Sequence, residues 1–484
     1  MKMRKPVRWR TLKRPLKTWT VLPNLLALAV LVSLARSEQG SKNGTADEVR
    51  LITLDPGHFH AALLQKEMLP GVSRHVAIYA PLGPDLIAHL NRIAQFNARN
   101  ENPTNWELEI YAGPDFFERM LQQRRGNVVV LSGRNQVKIA QIRASIDTGF
   151  HVLADKPWII ESADLPKLEA VLNAAEGRGN VAFDIMTERF EITFIIQRAL
   201  VNDPGVFGEI LSGTEQEPGV FMESLHYLMK SVAGVPLLRP TWFFDIRQQG
   251  EGLSDIGTHL VDLVQWSLFP EQTINYLQDI RLINAKRWPT LLTKADFQRV
   301  TGETNFPATL LSDVRSNRLE YYCNNLVSYT LRGVHVKLNV LWNYEAAPGV
   351  TDSNRSVFRG SRARIELRQG PEQNFRPEVY VVPNSASLKR QVLAALERKM
   401  GAIQEKYPGV AVKDLGEDLM ISIPEQFRIG HEAHFKQVVS QFLRYLKDPR
   451  SLPSWEKPNM LSKYYVTTGG VELARQHSAV QKAP

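Results

Sequence analysis

Three residues of the sequence carry side chains that are suited to acid–base chemistry: Lys156, Asp255 and His259. Lys156 and Pro157 follow a predicted strand at residues 151–154, at the end where open parallel sheets bind ligands. Asp255 and His259 are four residues apart in a predicted helix, so their side chains lie on one face, one turn apart. Such a pair can position a hydroxyl group and remove its proton, because histidine's ordinary pKa suits proton transfer near neutral pH. A surface lysine, an aspartate at a helix start and a buried histidine would explain the same residues without chemistry.

A turn at residues 55–62 (Asp-Pro-Gly-His-Phe-His-Ala-Ala) follows the first predicted strand, where a nucleotide-binding sheet places glycines. Glycines there let backbone N–H groups approach a pyrophosphate. Only Gly57 fits the G-x-G-x-x-G pattern, since Asp55 stands at the first glycine position and His60 at the third. The second predicted strand lacks the expected terminal acid, and no arginine is placed to select a 2′-phosphate. The turn alone leaves a dinucleotide site and a sheet without one equally open, and His58 and His60 suit phosphate contact and local packing equally well.

Alternating strand and helix patterns from residue 49 to residue 183 supply the scaffold for these residues. Six buried strand patterns alternate with five helical ones, and parallel neighbours require such crossover connections. The sequence therefore predicts a Rossmann-like, doubly wound parallel α/β sheet. Strand patterns at 275–382, with helices at 434–445 and 462–476, predict a following α+β domain with an open, mostly antiparallel sheet. The expected divisions are a signal peptide or N-terminal anchor at 1–35, a linker at 36–48, the Rossmann-like domain at 49–185, and a substrate and oligomerisation domain at 186–484.

The first 35 residues hold eight lysines and arginines and no acid. The whole chain of 484 residues has a net charge of +9, but residues 36–484 hold 51 basic against 50 acidic residues. The positive excess therefore belongs to the N-terminal segment, and nucleic-acid binding is not expected. A basic segment that precedes an apolar run, here residues 21–35, is typical of a signal peptide, with an uncleaved inner-membrane anchor as the alternative. The sequence predicts export to the periplasm.

The single cysteine, Cys323, excludes intramolecular disulfides and cysteine-rich metal sites, and its strand-like surroundings indicate a small core residue. His431 and His434 are three residues apart, without the His-Glu-x-x-His spacing of a metal-binding helix and with no third ligand evident. We interpret them as residues at a helix entry, and the sequence predicts no metal site.

The Lys-Pro element and the Asp-x-x-x-His element, in this order and about 100 residues apart, resemble the Gfo/Idh/MocA oxidoreductase family. Its members carry a Glu-Lys-Pro element and then a glycine-rich turn that leads into Asp-x-x-x-His, which here follows Gln249-Gly-Glu-Gly. The resemblance covers residues 49–270 and extends more weakly to the end of the chain. The segments that resemble the subgroup with a distinctive oxidoreductase C-terminal domain are 184–190, 239–245, 430–435 and 463–468.

The resemblance implies an NAD- or NADP-dependent oxidoreductase that acts on a hydroxyl of a sugar, glycoside or cyclitol and forms a homo-oligomer. Lys156 would orient the reacting hydroxyl and lower its pKa, His259 would exchange its proton, and Asp255 would bind an adjacent hydroxyl. The positions expected to contact the dinucleotide are Gly57, His58, Phe59, His60, Ser132, Arg134, Asn135, Asp155, Lys156 and Pro157. The positions expected to contact the substrate are Arg189, His226, Trp242, Asp255 and His259.

Two departures from the family pattern bear on this expectation: Asp155 replaces the usual glutamate, and the phosphate turn has lost glycines. Export adds a third consideration, since free NAD(P)H is not expected outside the cytoplasm, so the dinucleotide would be tightly bound. Two alternatives stay open. One is a cofactor-bound lyase or glycosidase that works through a transient keto-sugar, and the other is a non-catalytic carbohydrate-binding protein on a dehydrogenase scaffold.

Overall fold

The N-terminal sheet of the computed structural model, which describes residues 48–232 and 235–482, is parallel and six-stranded. Its strands are β1 (Leu51–Leu54), β2 (His75–Ala80), β3 (Glu107–Ala112), β4 (Val128–Leu131), β5 (His151–Ala154) and β6 (Ala182–Asp184). The spatial order is β3–β2–β1–β4–β5–β6, so the direction in which successive strands are added to the sheet reverses between β1 and β4. The carboxyl ends of these two strands form the crevice where open α/β sheets bind ligands. This sheet confirms the predicted Rossmann-like, doubly wound architecture.

Helices cover both faces of this sheet. They are α1 (His60–Leu63), α2 (Pro84–Ala98), α3 (Phe116–Gln123), α4 (Asn135–Asp147) and α5 (Leu165–Arg178). Successive strand residues point to opposite faces, so Leu51 packs in the core on one face and Ile52 in the core on the other. Both residues are buried, which explains why the strands are continuous apolar runs rather than alternating ones.

The second sheet has ten strands and is mostly antiparallel, as predicted for the second part of the chain. Its main strands are β7 (Val220–Tyr227), β10 (Ile280–Leu292), β12 (Arg318–Leu331), β13 (Val334–Asn343), β14 (Ser353–Arg359), β15 (Ala363–Gln369), β16 (Glu378–Pro383), β17 (Ala411–Asp414) and β18 (Leu419–Ser422), and the short β11 (Val314–Arg315) pairs with β12. A separate ribbon consists of β8 (Ser231–Val232) and β9 (Val235–Pro236). β7 pairs in parallel with β13, so the sheet is mixed at its centre. Cys323 of β12 is fully buried, as expected of a core residue.

The second part of the described chain also contains eight α-helices. They are α6 (Ile192–Val201), α7 (Gly252–Asp255), α8 (Gly257–Leu268), α9 (Tyr276–Asp279), α10 (Lys294–Thr301), α11 (Ala386–Gln404), α12 (His431–Lys447) and α13 (Glu456–Lys482). α12 returns to the N-terminal sheet, where Phe435 and Phe442 join its apolar core. α13 packs on both sheets, with Tyr464 in the core of the first and Val466 in the core of the second.

None of the helices in the described part of the chain is long and apolar enough to cross a membrane. The predicted targeting segment at residues 1–35 and the linker at 36–48 fall on residues 1–47, outside the described ones, except for Glu48. The division between the two larger domains at residue 185 stays a prediction.

Candidate active site

A cavity of about 370 Å³ lies beside the carboxyl end of β5 and contains the three residues with which the sequence argument began. We call it the lysine cavity, and its wall includes Lys156, Asp255, His259, Glu188 and His226. Six of the eleven histidines of the chain line it: His58, His60, His226, His259, His431 and His434. Pockets of this size suit small ligands, and clustered titratable groups are typical of functional sites.

Lys156 and Asp255 form an ion pair across 99 residues of sequence, with both side chains buried. Lys156 follows β5 and precedes a cis peptide bond to Pro157, and Asp255 is the last residue of α7. Burial disfavours the ammonium group, but the carboxylates of Asp255 and Asp155 outweigh it and raise the pKa of Lys156. Burial alone would raise the pKa of Asp255, but the adjacent Lys156 ammonium group outweighs burial, so the pKa of Asp255 is lowered. Both groups therefore carry their charges at neutral pH.

His259 lies on α8 in the same cavity, and its environment differs from the one that the sequence suggested. Burial and the nearby Lys156 charge lower the pKa of His259 to about 3. The imidazole is therefore neutral over the physiological range, and among the described residues its Nδ1 atom has no hydrogen-bond partner. An unbonded, neutral imidazole nitrogen can accept a proton from a bound hydroxyl, although it does not titrate near pH 7.

Asp255 and His259 do not share one continuous helix. α7 ends at Asp255 and α8 begins at Gly257. The Thr258 hydroxyl donates to the carbonyl oxygen of Asp255, and the His259 amide bonds to Ile256 three residues back. The four-residue spacing still brings both side chains to the lysine cavity.

Asp155 holds two histidines of the phosphate turn. Its carboxylate oxygens lie 2.7 Å from Nδ1 of His58 and 3.0 Å from Nδ1 of His60. The Ser132 hydroxyl donates to Asp155 Oδ2 at 3.2 Å, and the Lys138 ammonium donates to the Asp155 carbonyl oxygen at 2.8 Å. Burial lowers the pKa of both imidazoles. The structure thus joins four of the positions that the resemblance assigned to the dinucleotide, and one carboxylate organises them.

The lysine cavity is also lined by a second set of titratable side chains that the sequence argument did not assign to the site. Glu188 and Glu191 precede α6, and His431 and His434 lie on the first turn of α12. His431 Nδ1 is 3.3 Å from Glu188 Oε1, and His434 Nε2 is 3.6 Å from Glu191 Oε2. Burial and the neighbouring Glu188 raise the pKa of Glu191 to about 7, and burial lowers the pKa of His434 to about 4. Two carboxyl groups in different protonation states therefore face one cavity.

The raised pKa of Glu191 has a consequence for stability. Its carboxyl group ionises at about pH 4.5 in the unfolded chain and at about 7 in the folded protein, so the folded state binds the extra proton between these values. The stability that this group contributes is present below pH 4.5 and is lost as the pH rises through 7. Glu191→Gln keeps an acceptor for the Thr193 amide. We expect the variant to match the parent at pH 4.5 and to be about 3 kcal/mol more stable at pH 8.

Urea unfolding at the two pH values measures this difference. Glu118→Gln, an exposed position on α3, is the matched control and should give the same difference at both. A stability difference for Glu191→Gln that does not change with pH would contradict the prediction. Glu188, Arg428 and His434 are the other charged or titratable groups that face Glu191.

A second cavity of about 420 Å³ runs along the carboxyl ends of β1 and β2, and we call it the turn groove. Gly57, Asp85, Arg134 and Trp242 line it, and it shares His58 with the lysine cavity. A Cβ atom on Gly57 would stand 2.8 Å from the Trp242 ring, so only glycine allows this approach. Trp242 Nε1 donates to Asp85 Oδ2 at 2.8 Å, and the Arg134 guanidinium lies over the Trp242 ring.

The structure places the other predicted contact residues in three environments. His226 lines the lysine cavity, where its Nδ1 is 3.0 Å from Asp352 and its ring stacks beside Trp342. Trp242 belongs to the turn groove rather than to the lysine cavity. Arg189 is not brought to either: its guanidinium donates to Asp262 and Glu456 at 2.6–2.7 Å, beside a separate cavity of about 480 Å³.

Asn135 is buried and lines neither cavity; its side-chain amide donates to the Gln249 carbonyl oxygen at 2.7 Å, and its Oδ1 accepts from Lys138. Phe59 lines both the turn groove and the lysine cavity. The sequence argument missed Asp85, an acid that lines the turn groove, because it lies five residues beyond the end of β2. The available signal for Asp85 was the proline at the start of α2. Proline marks the first turn of a helix, and an acid is favourable in that turn.

Comparison with known proteins agrees with this arrangement. A family model described as "Putative oxidoreductase C terminal domain" matches residues 196–475. A crystal structure of a "putative oxidoreductase" from Parabacteroides merdae ATCC 43184 is 45% identical and covers 89% of this chain and 98% of its own, with a TM-score of 0.86. No curated protein matches the chain.

More distant crystal structures share the fold. GenD2 from gentamicin A biosynthesis, in complex with NAD, is 16% identical with a TM-score of 0.54 and covers 91% of this chain and 96% of its own. KijD10, a 3-ketoreductase from Actinomadura kijaniata in complex with NADP and TDP-benzene, is also 16% identical, with a TM-score of 0.51 and coverage of 87% and 98%. The chain belongs to the Gfo/Idh/MocA oxidoreductases, in the subgroup defined by the oxidoreductase C-terminal domain.

Proposed function

We propose that this protein uses NAD or NADP to oxidise or reduce one position of a sugar, glycoside or cyclitol. The observation that carries the proposal is the lysine cavity, where a buried Lys156–Asp255 ion pair lies beside the unbonded imidazole of His259. A lysine, an acid and a neutral imidazole on one small cavity are the groups needed to bind a hydroxyl and exchange its proton. Phe243 and Trp342 on the same wall offer aromatic faces to a sugar ring.

The turn groove fits a dinucleotide, although not through a glycine-rich cradle. The Gly57 amide donates to the Asp55 carbonyl oxygen and the His58 amide to Ser132, so these two donors are already occupied. Arg134, which also pairs with Asp55 at 3.5 Å, and Arg92 supply positive charge along the groove instead. Gly57 allows the close backbone approach, and Asp85 is placed to accept from a ribose hydroxyl. The groove meets the lysine cavity at His58 and Phe59.

A bound nicotinamide would supply the hydride acceptor for the carbon that bears the hydroxyl. Lys156 would donate a hydrogen bond to the substrate oxygen and stabilise negative charge on it, while Asp255 keeps the ammonium in place and accepts from a neighbouring hydroxyl. His259 would take the proton on its neutral imidazole. Glu188 and His431, which lie close enough to affect the pKa of His259, would lead the proton toward solvent, because His431 is partly exposed.

Native mass spectrometry tests the cofactor. We expect protein purified without added nucleotide to carry one NAD or NADP, and Arg134→Gln to lose it or to bind added dinucleotide about 10-fold more weakly. Arg143→Gln, an exposed arginine on α4 that pairs only with a neighbouring aspartate, is the matched control. Protein that carries no dinucleotide and binds none when it is added would overturn the proposal.

We further propose that the protein is exported and keeps its dinucleotide bound through successive turnovers. The basic and apolar segment at residues 1–35 supports export, and the occluding Trp242 over Gly57 supports slow release of a nucleotide. Cell fractionation, with N-terminal sequencing of the mature chain, should find the protein in the periplasm. Recovery from the cytoplasm with an intact N-terminus would contradict this. Homo-oligomer formation stays a prediction, which light scattering would decide.

The Glu188 and Glu191 carboxyl pair of the lysine cavity favours a second candidate function, a lyase or glycosidase that works through a transient keto-sugar. Glu191, with a pKa of about 7, and the ionised Glu188 could act as acid and base on a departing group. Cleavage of a glycoside with no net change in the redox state of the dinucleotide would identify this activity. Net formation of reduced nicotinamide would identify the oxidoreductase.

A further inference from the structure

We propose that His58, His60 and Asp155 bind a divalent, six-coordinate transition-metal ion such as Mn²⁺, Fe²⁺ or Co²⁺ at the wall of the lysine cavity. The three ligand atoms, one nitrogen from each imidazole and one carboxylate oxygen, lie within 4.8 Å of one another. Two imidazoles and one carboxylate on one face form a donor set that these ions accept, with positions left open for other ligands.

The separations from one carboxylate oxygen to the two imidazoles favour six-coordinate over tetrahedral geometry. Asp155 Oδ2 lies 2.7 Å from His58 Nδ1 and 3.1 Å from His60 Nδ1. Ligands at about 2.1 Å from an ion stand about 3.0 Å apart when they meet at right angles and about 3.4 Å apart in a tetrahedron. Both separations are nearer to the right-angled value than to the tetrahedral one, as expected where ligands occupy one face of an octahedron.

The surroundings hold the carboxylate in place and leave the site accessible. The Ser132 hydroxyl donates to Asp155 Oδ2, and Lys138 anchors the Asp155 backbone through its carbonyl oxygen. Such outer contacts orient metal-bound carboxylates. His60 and Asp155 are buried, whereas the His58 side chain is 24% exposed and lines both cavities. An ion can therefore enter past His58.

The location explains the unusual phosphate turn. His60 stands at the third glycine position of the turn and His58 two residues before it, and both converge on the same carboxylate 95 or more residues away. Local packing alone does not require two imidazoles on one acid. The charge of Lys156 is matched by Asp255, and Lys138 contacts the carbonyl oxygen of Asp155, so the carboxylate charge of Asp155 stays available for the ion.

Metal analysis tests the proposal without any measurement of activity. The full chain, produced without a polyhistidine tag, is treated with EDTA and titrated with Co²⁺ by calorimetry and visible absorption. We expect one ion per chain, with His58→Ala and His60→Ala each weakening binding about 100-fold. His226→Ala removes a histidine of the same cavity outside the cluster and should leave the affinity unchanged.

Failure to bind one Co²⁺ or Mn²⁺ per chain, or binding that neither His58→Ala nor His60→Ala weakens, would overturn the metal site. In that case His58 and His60 would only be hydrogen-bonded to Asp155. If His60→Ala does not fold by circular dichroism, His58→Ala decides, because its side chain is partly exposed. A protein that binds dinucleotide but no metal would overturn this proposal alone, so its failure is distinguishable from failure of the proposed function.

Discussion

Lys156→Met is expected to lower kcat/KM about 1,000-fold, since it removes the buried ammonium group beside His259 that would donate a charged hydrogen bond to the substrate oxygen. The rate is measured as reduced nicotinamide formed from whichever sugar or cyclitol the native protein oxidises. Lys167→Met changes an exposed lysine on α5 and should leave the rate unchanged. A rate within 10-fold of the parent would exclude Lys156 from the reaction.

The same substitution leaves the buried Asp255 carboxylate without its partner, and breaking such a pair costs about 3–5 kcal/mol. Loss of activity could then reflect loss of fold. The double variant Lys156→Met/Asp255→Asn separates the two effects. Neutralising Asp255 should restore most of the free energy of unfolding while the rate stays low. Recovery of both stability and rate would show that Lys156 is structural.

Gly252→Ala is expected to destabilise the protein by at least about 3 kcal/mol and to reduce activity as well. A Cβ atom at this position would lie 1.9 Å from the carbonyl oxygen of Cys323 in β12. β12 cannot retreat, because β10 and β13 pair with it on its two sides. α7 would have to move instead, and with it Asp255, which ends that helix.

Gly401→Ala is the matched control for this close approach. Gly401 lies in α11, and an added Cβ atom meets nothing within 4 Å. Alanine is the better helix former, so this variant should be more stable by up to about 1 kcal/mol. Urea unfolding compares both variants with the parent. Equal stabilities for the two variants would show that the contact at Gly252 does not constrain the fold.

The N-terminal sheet could be predicted from the sequence because its strands are buried on both faces and are therefore continuous apolar runs such as Leu51–Leu54. The central strand of the second sheet, β7, was missed, since strands were predicted only from residue 275. Val220–Tyr227 places Glu223 and His226 among its apolar residues, and its apolar partners, β13 and β14, lie more than 100 residues away in the sequence. Pattern alone does not reveal such long-range pairing.

The candidate site, like the fold, could be predicted from the sequence only in part. The Lys-Pro and Asp-x-x-x-His elements identified Lys156, Asp255 and His259, which the structure brings to one cavity. The low pKa of His259 could not be predicted, because it depends on burial by residues distant in the chain. His431 and His434 were interpreted as a helix entry, and they do begin α12, but that helix also carries them to the cavity wall. Their position at the cavity wall follows from the packing of α12 against the first sheet, which the sequence pattern does not reveal.

The C-terminal helix α13 also bears on how the chain folds during synthesis. The Trp158 amide donates to the Tyr464 hydroxyl, 306 residues later, and Lys463 pairs with Asp184 at 2.8 Å. The same helix contributes Val471 to the core of the second sheet. Both cores are completed by residues of α13, which leave the ribosome after the strands that they cover, and contacts of such high sequence separation form slowly. We expect neither half to reach its final stability before α13 has been synthesised.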